Sequence, residues 1–233
     1  MKFLLLIFSL IVAACEKPSQ PPEPLPTINP ITINYLALGD SYTVGTAIGQ
    51  ENAYPYLLKE KLEKTDSVST VNVDVIAQNG WTTSNLRQGI FSQKPATNYD
   101  LVTLLIGVNN QYQAKSKTEY RKEFRELLEQ AIQLGSGNRD NVFVLSVPDW
   151  GVTPAADRSR KEEIAMDIDL FNTINKEITD SLGVTYFDIT PISRTAGHKL
   201  DLVAKDGLHF SDKMHELWLE IIYTDIKKQM LKP

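Results

Sequence analysis

Short apolar runs alternate with segments of helical periodicity from residue 31 to the C-terminal end, and this alternation constrains the chain more than any other feature. The runs at 33–38, 71–77, 101–106, 142–147 and 184–187 are rich in β-branched residues and read as strands buried on both faces. Helical stripes lie between them. Tyr120, Phe124, Leu127, Leu128, Ala131 and Ile132 share one face; Ile164, Ile168, Phe171, Ile174, Ile178 and Leu182 share another, with Gly183 the expected C-terminal cap. Tyr54, Leu57, Leu58 and Leu62 mark an earlier helix. Met214, Leu217, Trp218, Ile221 and Ile222 mark the last, for which Ser211 is the expected N-cap. Right-handed crossovers put such helices on both faces of a parallel sheet. The expected fold is therefore α/β, a three-layer α/β/α sandwich around a five-stranded parallel sheet, formed by residues 31–233.

The residues ahead of this domain read differently. Lys2 precedes an apolar run of 12 residues from Phe3 to Ala14. A membrane-spanning helix needs about 20, so the run suits the core of an export signal, and 1–14 is the expected signal peptide. Val12, Ala13 and Ala14 then lead into Cys15, the single cysteine, in a pattern that resembles a bacterial lipobox. The resemblance implies cleavage before Cys15, lipidation of that residue, and a lipid-anchored place in the bacterial cell envelope. A lone cysteine has no partner for an internal disulfide. Residues 15–30 form the expected tether: Pro18, Pro21, Pro22, Pro24, Pro26 and Pro30 favour extended polyproline II at about 3.1 Å per residue.

The first strand run ends in Gly39-Asp40-Ser41. A serine just past the carboxyl end of a strand sits where open α/β sheets place their ligand crevice, and Gly39 is expected to allow the sharp turn that projects it. Gly-Asp-Ser is also ordinary turn chemistry, so Ser41 needs partners. A serine hydroxyl becomes a useful nucleophile when a neutral imidazole takes its proton and an acceptor fixes that imidazole's tautomer. Three histidines are present. Asp206 and His209 share Asp-x-x-His spacing with Asp212 and His215, and spacing alone does not choose between the pairs. The first pair lies in a glycine-containing loop where the carboxylate can fold back onto the ring. The second falls in the first turns of the last helix, where Asp212 suits the helix dipole. His209 is thus the expected base, and His198 an exposed loop residue.

Four blocks in order, Gly39-Asp40-Ser41-Tyr42, Asn79-Gly80, Gly107-Val108-Asn109-Asn110 and Asp206-Gly207-Leu208-His209, resemble the SGNH (GDSL-type) hydrolase superfamily, whose sheet is flavodoxin-like. The resemblance implies that Ser41 attacks an acyl carbon, His209 serves as base and then acid, and Asp206 holds His209. It also implies an oxyanion hole made by the Ser41 N–H, the Gly80 N–H and the Asn109 side-chain amide. The third block departs from the usual Gly-x-Asn-Asp: Asn110 stands at the aspartate position, so the bonds bracing this loop are expected to differ. Trp150, Trp81 and Tyr112 are the expected aromatic lining of the pocket.

The resulting expectation is a serine esterase acting on small acyl esters, lipid esters or acetylated glycans, held on a membrane by its lipid. The rival reading is a non-catalytic envelope lipoprotein that binds glycan or peptide on the same fold, with Asn110 as its support. A net charge of −5 with no basic excess argues against nucleic-acid partners. No metal-ligand or dinucleotide motif is present, so no metal or cofactor is expected. Because the base must be neutral to act, activity is expected to fall as pH drops below about 6 to 7.

Overall fold

The computed structural model describes residues 30–232. The expected signal peptide, Cys15 and all but the last residue of the tether lie outside the described residues. Five parallel strands, β1 (Ile31–Gly39), β2 (Val68–Ala77), β3 (Leu101–Leu105), β4 (Val142–Leu145) and β5 (Thr185–Phe187), form one sheet in the order β2-β1-β3-β4-β5. The main helices are α1 (Ser41–Val44), α2 (Tyr54–Glu63), α3 (Thr83–Gln93), α4 (Val108–Tyr112), α5 (Lys117–Leu134), α6 (Lys161–Leu182), α7 (Thr190–Arg194) and α8 (Asp212–Met230).

Alternate residues of β1 supply the two cores, as the period of a strand requires. Ile33, Tyr35 and Ala37 pack with Leu58 and Leu62 of α2 and with Trp218 and Ile222 of α8. Leu36 and Leu38 pack on the other face with Leu86 of α3, Phe124 and Leu127 of α5, and Ile174 of α6. The three-layer sandwich is therefore as expected. Three local expectations are corrected. β2 is an edge strand and buries only part of its length, with Asn72 and Asp74 exposed, because no strand covers its outer side. Ile221 is 36% exposed on the outer side of α8. Ser211 occupies the N-cap position of α8, yet its hydroxyl donates to the Asp201 carbonyl at 2.8 Å and leaves the helix end uncapped by a side chain. Gly183 does end α6 in the left-handed conformation.

The sheet order puts the site where it is. β1 runs out to β2 on one side and to β3 on the other, so the connections leaving β1 and β3 diverge and open a crevice at their carboxyl ends.

Candidate active site

Ser41 is the first residue of α1, directly after β1, and is 6% exposed. At a helix N-terminus its N–H has no intrahelical acceptor and is free for a ligand. Gly39 is needed for space rather than for an unusual turn: a Cβ there would lie 2.0 Å from Thr43 Oγ1 and 2.6 Å from the Leu105 carbonyl. Any side chain would push α1, and Ser41 with it, off the sheet end. The neighbouring Asp40 is fully buried; one carboxylate oxygen accepts the Tyr42 N–H at 3.1 Å and the other has no partner. Burial raises its pKa to about 7 against the pull of that bond.

His209 and Asp206 meet in the loop before α8, with His209 Nδ1 2.5 Å from Asp206 Oδ2. Asp206 Oδ1 accepts the N–H groups of Leu208 and His209, both at 3.0 Å. Partial burial works to raise the Asp206 pKa, but the His209 bond and the two N–H bonds outweigh it and hold the carboxyl below its ordinary value. A charged Asp206 on Nδ1 fixes the proton there and leaves Nε2 as an acceptor. The loop is anchored by an isolated antiparallel bridge between Val203 and Phe210 and by the Ala155 N–H on the Gly207 carbonyl at 2.9 Å.

Gly80, after β2, and Asn109, in α4 after β3, complete the set. Gly80 has φ +79, a conformation that favours glycine, and a Cβ there would meet no protein atom within 4 Å. Asn109 Nδ2 spends one hydrogen on the Trp81 carbonyl at 3.1 Å, which orients the amide and leaves its second N–H unspent. Ser41, Gly80, Asn109 and His209 all line one pocket of about 230 Å³, closed by Val108, Tyr112, Trp150 and Leu208. Ser41 Oγ and the His209 ring share this pocket without a direct hydrogen bond between them. Such contacts often tighten only with substrate present.

Trp150 and Tyr112 line the pocket as expected, in edge contact with centroids 5.0 Å apart. Trp81 does not: its ring lies against Gly89 of α3 and packs on the second core. Two bracing groups escaped the sequence reading. Gln111 Oε1 accepts Trp150 Nε1–H at 2.7 Å. Asp149, 1% exposed, accepts the Gly151 N–H with one oxygen and Arg194 Nε with the other, both at 2.9 Å. The Asp149-Trp150-Gly151 spacing is an Asx-turn signal and marks the first half of that arrangement.

The competing histidine has a structural task. His215 is 1% exposed, and its Nδ1 accepts the Tyr54 N–H at 3.0 Å, satisfying the start of α2 where Ala53 provides no side-chain cap. Burial, with a smaller effect from His209, lowers its pKa to about 3. His215→Ala is expected to cost about 3–4 kcal/mol, from the lost ring and the orphaned N–H, in urea unfolding at pH 7. The unfolded ring takes a proton below about pH 6.5 and the folded one only near 3, so the neutral ring's stabilisation is full above 6.5 and fades as pH falls. The gap between parent and variant should narrow in that direction. Asp40 acts oppositely, its contribution being full below about pH 4 and lost as pH rises through 7, but it is common to both chains and cancels in the difference. His198 is exposed, as expected.

The sheet order, the helical layers and the crevice at the strand ends define the SGNH hydrolase fold. The chain belongs to the GDSL-like lipase/acylhydrolase family, whose model matches residues 37–217, and is by class an ester hydrolase. Its fold is similar to that of a lipase/acylhydrolase from Enterococcus faecalis (22% identity, TM-score 0.63, covering 84% of this chain and 96% of that one). It is similar also to the psychrotrophic esterase EstA from Pseudoalteromonas sp. (16%, 0.60, 85% and 99%) and to the acetyl xylan esterase AlAXEase (17%, 0.65, 83% and 100%). No curated protein matches the chain.

Proposed function

We propose that the chain is a serine esterase in which Ser41, His209 and Asp206 form the catalytic triad. Ser41 Oγ attacks the ester carbonyl and passes its proton to His209 Nε2. The resulting oxyanion is held by the N–H groups of Ser41 and Gly80 and by the free N–H of Asn109 Nδ2. As the C–O bond breaks, His209 gives the proton to the departing alkoxide, and a water deprotonated by His209 then releases the acid from the acyl-enzyme. The observation that carries this reading is the convergence of Ser41, Gly80, Asn109 and His209 on one pocket, with Asp206 gripping the imidazole from behind.

A volume of about 230 Å³ with a largely apolar lining suits a short acyl group. We read acetyl and other short esters, acetylated glycans among them, as the substrate class; the likeness to an acetyl xylan esterase fits this. We further propose that lipidated Cys15 and the proline-rich tether hold the enzyme on the cell envelope. Asn110, the one feature favouring a binding-only protein, is hydrogen-bonded through both amide atoms to Thr83 inside the fold and is not offered to a ligand.

A fluorophosphonate probe should label the protein, and Ser41→Ala should abolish labelling; undiminished labelling of the variant would overturn the assignment. A panel of p-nitrophenyl esters should show turnover that declines with acyl length. Asn109→Ala removes one preorganised oxyanion donor, and kcat should fall about 10²- to 10³-fold with KM little changed. A loss confined to KM would place Asn109 in ground-state binding instead.

A further inference from the structure

Asn110 is 3% exposed, and both of its amide atoms are committed to one residue. Its Oδ1 accepts the Thr83 N–H at 3.0 Å, and its Nδ2 donates to Thr83 Oγ1 at 2.7 Å. The Thr83 hydroxyl, fully buried, in turn donates its only proton to Glu123 Oε2. The direction of this chain is fixed by proton count. An amide at 110 gives a hydrogen to the hydroxyl, so the hydroxyl's own hydrogen is left for a carboxylate. With an aspartate at 110 the hydroxyl would face two carboxylates with one hydrogen to share.

We propose that Glu123 is the positioning residue for the oxyanion donor Asn109, acting through Thr83 and Asn110 and supplying from α5 the acceptor for the Thr83 hydroxyl that an amide at position 110, already donating to it, does not provide. The inference rests on the reading of Asn109 given above. The connection is short: Asn110 follows Asn109 in α4, and Asn109 is itself tied to the Trp81 carbonyl just ahead of the start of α3. The relay clamps the N-terminus of α3 to α4 from one side while Asn109 clamps it from the other. Releasing it lets α4 shift against α3, and a shift of about 1 Å in a catalytic group costs up to 10²-fold in rate.

The test is a set of variants in the full chain, assayed with p-nitrophenyl acetate and by thermal unfolding. Asn110→Asp alone is expected to lower kcat about tenfold or more with KM nearly unchanged, and to lower Tm, because two carboxylates compete for one hydrogen. Adding Glu123→Gln should restore both, since the glutamine amide then donates to Thr83 Oγ1 and the hydroxyl donates to the carboxylate introduced at position 110: the relay runs backwards but is complete. Glu123→Ala should lower kcat about tenfold, and Glu123→Gln alone should keep most of it; this pair serves if Asn110→Asp does not fold. Parental kcat in Asn110→Asp, a double variant no better than that single one, or equal kcat in Glu123→Ala and Glu123→Gln would overturn the proposal. If the parent chain turned over no ester, the esterase reading would fail. The Tm pattern would still report the relay, and no reversal there would overturn it as well.

Discussion

His209→Ala is expected to reduce kcat about 10⁵- to 10⁶-fold on a short p-nitrophenyl ester, with KM and the far-UV circular dichroism spectrum close to those of the parent. The size of the effect follows from where the ring sits. Without it the proposed mechanism has no acceptor for the Ser41 proton, while Gly80, Asn109 and the pocket walls remain. Residual activity over the uncatalysed rate would come from those donors. His215→Ala should show the opposite profile, lost stability with kcat per folded molecule little changed, because that ring meets Tyr54 and Trp218 rather than the pocket. A His209→Ala chain within tenfold of parental kcat would remove the imidazole from the mechanism.

Asp206→Asn carries the next largest effect, about 10⁴-fold in kcat. The substitution keeps the shape of the side chain, and its carbonyl oxygen still accepts the N–H groups of Leu208 and His209 that fold the turn. What changes is the partner of Nδ1: an amide NH₂ in place of a carboxylate oxygen forces the ring to carry its proton on Nε2. That nitrogen then presents a donor to Ser41 where an acceptor is required. Normal folding with a kcat near the parent's would show that Asp206 serves the loop and not the chemistry.

How far the sequence alone reaches differs between the fold and the site. Strands and helices were legible because parallel strands buried on both faces and helices with one apolar stripe leave strong periodic signals, as in β1 and α6. Strand order was not, so nothing marked β2 as the exposed edge. His209 was separable from His215 by loop context, yet the reason for His215 was hidden, since its partner Tyr54 lies 161 positions away. Gly39 was noticed for the wrong reason, because a steric limit set by Thr43 and Leu105 has no local signature. The same holds for Trp81, whose neighbour Gly89 turns the ring away from the pocket. Asn110 read as a missing charge; that it pairs with Thr83, and Thr83 with Glu123, depends on α3 and α5 packing together. Ser211 fits every local rule for an N-cap, but a carbonyl from outside its helix draws the hydroxyl away.

Leu208 walls the pocket and is covalently next to His209, and both N–H groups rest on the same oxygen of Asp206. In the proposed mechanism, tolerance for bulk and proton transfer are therefore mechanically joined within four residues. An acyl chain long enough to displace Leu208 loosens the turn that aims the imidazole, so oversized esters should occupy the enzyme and stall there, acting as sluggish substrates or inhibitors rather than being refused at entry. Broadening the acceptance of such an enzyme would have to begin on the opposite wall, at Val108 or Tyr112, where the backbone carries no part of the base.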